Sequence, residues 1–256
     1  MCTAILSAFA QEQAGLIELL ERPERVQRAG REFWCGQLQG RGVVLALSKL
    51  GKVAAATTAT TVIEAFDAKR LVFTGVAGGV GPGVNVGDVV LATDGVQHDM
   101  DCSPLFPRYE IPLYGQSRFA CNAVLNAHLL VAAQQALASL QSDSFEKLQV
   151  SSPRVHQGLI ASGDRFVSSA SEVTALVQGL TQAGHPPLAV EMEGAAVAQV
   201  CHDYGVPFAA VRTISDRADD TAHVDFNAFV RDTASRYALA IVQGFLGRLT
   251  STTPAS

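Results

Sequence analysis

The sequence predicts an α/β fold on two observations. Short apolar runs rich in Val, Ile and Leu alternate with longer Ala-rich segments of helical period, and no linker interrupts the alternation across 256 residues. This is the pattern of a mixed or parallel sheet covered by helices, and 48% hydrophobic against 17% charged residues is enough to bury a full core. One domain over residues 1–248 follows, with the small polar stretch 249–256 as a frayed tail.

In chain order, the run 3–8 reads as a strand and 11–20 as the helix after it. Strands at 32–38 and 43–48 precede a helix at 52–66, and a strand at 70–74 leads into a glycine cluster followed by a strand at 88–96. The segment 102–115, with Pro104, Pro107 and Pro112, reads as an irregular excursion, a common form for a lid or a subunit contact. The helix at 122–140 shows apolar positions three and four apart, as in Leu130, Ala133, Leu137 and Leu140. A strand at 157–162, a helix at 169–178, a very short strand at 189–190 and a helix at 194–204 follow. The strand 208–214 and a long helix over 225–246 close the domain.

Composition excludes several classes. A net charge of −5 with scattered basic residues gives no footprint for nucleic acid or an anionic membrane. The charge-free runs 71–87 and 119–142 are broken by glycines and Pro82 or carry a polar side, so neither suits a membrane span. The five cysteines, odd in number and without C-x-x-C spacing, suit reduced thiols in a cytoplasm, and the first basic residue, Arg22, falls too late for a signal peptide.

The cluster from Thr74 to Gly83 has neither the spacing nor the following helix of a dinucleotide fingerprint, and Gly51-Lys52 lacks the rest of a P-loop. The cluster therefore reads as a tight turn at a strand end, where small residues let a flat ligand approach the backbone. Phe166, just past a strand, suits stacking on a base as well as core packing. In Glu191-Met192-Glu193-Gly194 the two carboxylates can point apart, one accepting hydrogen bonds from a sugar diol, the other capping the next helix or pairing with a cation. Asp216 ends a buried strand, where desolvation suits a carboxyl group to holding a proton, and Glu12 opens the first helix. Each also reads as a plain helix-end residue. His98 to Asp101 has metal-like residue types without converging geometry, no G-x-S-x-G elbow is present, and no metal or cofactor is expected.

Taken together and in this order, Thr74-Gly-Val-Ala-Gly-Gly79, Ser162-Gly-Asp-Arg-Phe166, Val190-Glu-Met-Glu-Gly-Ala195 and Val211-Arg-Thr-Ile-Ser-Asp216 resemble the nucleoside phosphorylase superfamily. Within it they look like the 5′-methylthioadenosine/S-adenosylhomocysteine nucleosidases. The resemblance implies one α/β domain with a central mixed, partly barrel-like sheet, a homodimer, and a small-molecule nucleoside as substrate. By the same likeness Asp216 is the general acid at adenine N7, with Ser215 and the backbone near Phe166 and Val167 holding the base. Glu12 activates water, Glu193 binds the ribose hydroxyls and Met192 packs against the ribose. Ala77 and Gly78 line the ribose and water side, Phe226 approaches the base or thioalkyl group, Phe9 and Leu50 border the alkylthio pocket, and Leu105 reaches the partner's pocket.

Two departures from the usual pattern stand near the N-terminus. Ser7 and Phe9 replace Gly and Met, and Ala10 and Gln11 replace acidic residues before Glu12. Alternatives are a phosphorylase of the same superfamily, a nucleosidase for another 5′-substituted nucleoside such as futalosine, and a non-catalytic nucleoside-binding protein. A phosphorylase would carry a Gly-Asp-Pro loop with a nearby Arg where this chain has residues 7–13. Loss of Glu12 or Asp216 would mark the binding protein, and both are present.

Overall fold

A computed structural model describes residues 1–140, 153–218, 229 and 235–249. Its strands are β1 (Cys2–Ser7), β2 (Glu21–Arg28), β3 (Arg31–Leu38), β4 (Arg41–Leu47), β5 (Ala68–Gly79), β6 (Val89–Gln97), β7 (Arg118–Ala120), β8 (Val155–Ser162), β9 (Pro187–Glu191) and β10 (Phe208–Asp216). The helices are α1 (Ala10–Glu18), α2 (Lys52–Phe66), α3 (Ala123–Leu140), α4 (Ala170–Gln182), α5 (Gly194–Tyr204) and α6 (Ser235–Arg248).

The strands form one sheet in the order β10-β6-β8-β9-β5-β1-β4-β3-β2, and β10 also pairs with β5. That extra pairing closes β5, β10, β6, β8 and β9 into a ring, so the sheet is part barrel and part open wing. β5 runs parallel to β1 and β10, whereas β6 is antiparallel to β10 and β9 antiparallel to β5, which makes the sheet mixed.

Successive side chains of a strand point to opposite faces, and here both faces are covered. Ile5, Leu45, Val72, Val89, Leu91 and Val211 join a core that includes residues of α1, α3 and α6. Their neighbours Ala4, Leu6, Val44, Ala46, Leu71, Phe73, Val90 and Ala210 join a second core with α2 and α5. Burial on both sides is the physical reason these strands read as continuous apolar runs. α2 presents small residues on its buried side, Ala55, Thr58 and Ala59. α5 stops at Gly205, whose φ of 64° closes the helix in the left-handed region.

Three expectations change. β2 and β7 are additional strands: β2 is an exposed edge strand rich in Glu and Arg, whose charge hides it from an apolar-pattern search and blunts the open edge. The glycine cluster is not a turn up to Gly79, because β5 continues through it, paired with β10 on one side and β9 on the other. The last helix is described from Ser235; residues 225–234 of its expected span, apart from Phe229, and the tail from 250 onward lie outside the described residues. Among the described residues, no helix is long and apolar enough to cross a membrane.

Candidate active site

The carboxyl ends of β1, β5, β9 and β10 meet around one cavity of about 420 Å³. Register brings them together: Asp216 and Val190 both pair with Gly78 across adjacent strands. The cavity is lined by Phe9, Glu12, Leu50, Ala77, Gly78, Phe166, Val167, Met192, Glu193, Ser215 and Asp216, all of which the sequence had singled out. Two are not placed there. Leu105 lies on the excursion, 83% exposed and outside the lining, and Phe226 lies outside the described residues.

Glu12 enters from the first turn of α1, where its Oε2 accepts hydrogen bonds from the backbone N–H of Ala8 and Phe9, each at 3.0 Å. Its Oε1 accepts from the Val76 N–H on β5 at 3.1 Å. Burial pushes the Glu12 carboxyl above the usual carboxylate range, against these three bonds and the nearby Arg212.

Asp216 ends β10, with Oδ2 accepting from Ser215 Oγ at 2.7 Å and Oδ1 from the Ala218 N–H at 2.8 Å. It is 2% exposed.

The glycines of β5 keep room for these carboxylates. A Cβ on Gly75 would sit 3.1 Å from Glu12 Oε1, and one on Gly78 would sit 3.0 Å from Asp216 Oδ1 and 2.8 Å from the Ala218 Cβ. The cluster thus permits close approach from within a strand, a different use of glycine from the expected turn.

Glu193 is the residue before α5 and its Oε1 accepts from the Gly51 N–H at 2.9 Å. Desolvation, then the charge of Glu191, lifts its pKa to about 8, with the Gly51 bond and Arg212 opposing. Glu191 also lines the cavity, but its carboxylate serves as a cap and a cation partner. It accepts from the N–H groups of Glu193 and Gly194 and from Ser162 Oγ, and its Oε2 meets Arg212 Nη2 at 2.6 Å. The Arg212 guanidinium also lies 4.1 Å over the Phe73 ring.

Arg212 is the functional-site member that the sequence reading passed over, although a cation inside an otherwise apolar strand was the available signal. Among the described residues, Glu12, Glu191, Glu193 and Asp216 are buried carboxyl groups lining the cavity and Arg212 is the buried cation. Several carboxylates around one buried cation cannot all ionise cheaply, and burial shifts both Glu12 and Glu193 upward, toward the protonated form. Such a site is built to give and take protons around a small ligand.

The sequence matches the family model described as Phosphorylase superfamily over residues 3–247. A 5′-methylthioadenosine/S-adenosylhomocysteine nucleosidase of Shewanella halifaxensis is 34% identical over 243 residues, covering 94% of this chain and 97% of that protein. The nucleosidase of the same name from Neisseria meningitidis, solved with methylthio-immucillin-A, superposes with a TM-score of 0.83 at 34% identity, covering 97% of this chain and 99% of that one. A futalosine hydrolase of Helicobacter pylori superposes with a TM-score of 0.81 at 31% identity, covering 97% and 98%. With its closed five-stranded ring, its carboxylate-lined cavity and this similarity along its length, the chain belongs to the phosphorylase superfamily, in the family of the 5′-methylthioadenosine/S-adenosylhomocysteine nucleosidases.

Proposed function

We propose that the protein hydrolyses the N-glycosidic bond of 5′-thio-substituted adenine nucleosides, 5′-methylthioadenosine and S-adenosylhomocysteine, to adenine and the thioribose. The observation that carries this reading is that two buried carboxyl groups from separate elements, Glu12 in the first turn of α1 and Asp216 at the end of β10, line one cavity together with Glu193.

Asp216 donates a proton to adenine N7, so the base leaves neutral as the bond to C1′ breaks. Glu12 takes a proton from the water that attacks C1′, and Glu193 holds the ribose hydroxyls while positive charge builds on the sugar. One carboxyl group serving the leaving group and another serving the water is the logic of inverting glycoside hydrolysis. Ser215 and the segment at Phe166 and Val167 hold the base, Met192, Ala77 and Gly78 pack along the ribose, and Phe9 and Leu50 border the 5′ substituent; the partner's copy of Leu105 completes the enclosure.

Water is favoured over phosphate because an anion needs several free donors. The buried cation Arg212 is engaged by Glu191, and the backbone donors at Ala8, Phe9 and Val76 are spent on Glu12. The domain spans residues 1–248 and works in the cytoplasm as a homodimer; the dimer is supported by Leu105 and Leu113, which stand 83% and 91% exposed on the excursion.

The test is adenine release from methylthioadenosine, S-adenosylhomocysteine, 5′-deoxyadenosine and a futalosine derivative, with base release from inosine alongside, with and without phosphate. Release without phosphate is expected, and strict phosphate dependence would discard hydrolysis.

A further inference from the structure

We infer that Arg165 selects nucleosides whose 5′ substituent ends in a carboxylate, an inference that rests on the nucleosidase reading and names the substrate class within it. Most of the cavity's charged lining is buried; Arg165 is the exception among the described residues, with its side chain 76% exposed.

Its place on the rim follows from its neighbours. Asp164 Oδ1 accepts from the Lys52 N–H at 2.7 Å and lies 3.0 Å from where a Gly51 Cβ would be. The segment holding Arg165 is therefore seated against the loop that carries Leu50, which is 52% exposed and lines the same cavity. Under the nucleosidase reading, which puts the 5′ substituent beside Leu50, this is the side of the cavity where that substituent emerges.

Beyond its pair with Glu172, the guanidinium keeps donors for a second anion. Glu172, in the first turn of α4, meets Arg165 Nε with its Oε1 at 3.0 Å and so occupies one edge of the fork. The end-on edge formed by the two Nη groups is the one that takes a carboxylate bidentately. Of the other nearby acids, Asp99 is tied to Lys52 Nζ at 2.5 Å and Asp164 to the Lys52 backbone, so among the described residues Glu172 alone is paired with the cation. A methylthio group gains nothing from such a cation, whereas a chain ending in a carboxylate does. An exposed pair of this kind is weak and screened by salt, which sets the size of the expected effect at roughly fivefold.

The test uses two adenosine 5′-thioethers of equal chain length, one ending in a carboxylate and the other in its methyl ester, with kcat/KM measured for both. Wild-type protein should favour the carboxylate by roughly fivefold in dilute buffer, and this preference should shrink as salt is added. Arg165→Gln should bring the ratio close to unity, Arg165→Glu should invert it, and Arg165→Lys, which keeps the charge and loses the fork, should fall between. An unchanged ratio in Arg165→Gln overturns the inference while leaving the nucleosidase reading intact. Failure of the wild type to release adenine from either thioether or from methylthioadenosine overturns the nucleosidase reading itself.

Discussion

Arg212 Nη2 lies 2.6 Å from Glu191 Oε2, with the two side chains 2% and 3% exposed, so a buried ion pair lies in the wall of the cavity. Removing one partner of such a pair strands the other charge in a low dielectric. Arg212→Met should lower stability by about 3–5 kcal/mol. Restoring neutrality with Glu191→Gln in the same chain should recover part of that loss. Urea denaturation of the single and double variants measures both quantities; additive losses would show that the two side chains are not coupled.

Asp216→Asn preserves the shape of the side chain and an oxygen to accept from Ser215 or Ala218, while removing the proton that the leaving base requires. Turnover should fall by at least about a hundredfold, as loss of a general acid implies. Binding of an adenosine analogue, read by calorimetry, should persist. Near-normal turnover would discard the acid role.

A methyl group at Gly78 would press on the Ala218 Cβ at 2.8 Å and on Asp216 Oδ1 at 3.0 Å. Gly78→Ala should therefore destabilise the protein by about 1–3 kcal/mol, the usual cost of overpacking, and reduce turnover by displacing Asp216. Gly42→Ala, on β4 with nothing within 4 Å of the added Cβ, is the matched control and should be near neutral. Equal melting temperatures for the two variants would refute the crowding argument.

Much of this fold was legible because its strands are buried on both faces, so β1, β4, β5, β6 and β10 each carry a short apolar run such as Leu71 to Phe73 or Val89 to Ala92. β2 was not, since an exposed edge strand written Glu-Arg-Pro-Glu-Arg carries no apolar period. The end of β5 was misread for a related reason: glycine signals a turn locally, and only the approach of Glu12 and Asp216 from other elements explains its presence in a strand.

In the site, Glu191 and Glu193 could be assigned opposite directions from their spacing, but the cation that Glu191 meets lies 21 residues away and is brought in by β10. Glu12 likewise looked like a helix-end residue until the Val76 N–H on β5 closed over it. Pairings between distant segments are set by the closure of the strand ring, which no local pattern encodes.

Glu193 links the site to the pH dependence of stability. Its folded pKa is raised from the ordinary 4.5 to about 8, chiefly by burial and then by Glu191. Between those values the folded state holds a proton that the unfolded chain has released, so the slope of unfolding free energy with pH is negative. The sign is thus the reverse of a salt-bridged carboxylate: the contribution is complete below the unfolded pKa and is lost as pH rises through about 8. The ligand-free protein should therefore lose stability between roughly pH 5 and pH 9, by an amount on the order of a few kcal/mol. Glu193→Gln keeps the side chain neutral at every pH and should melt at a temperature that varies less over that range, overtaking the wild type at its alkaline end. Parallel melting curves for the two proteins from pH 5 to pH 9 would mean that the buried carboxyl group does not hold its proton in the folded state.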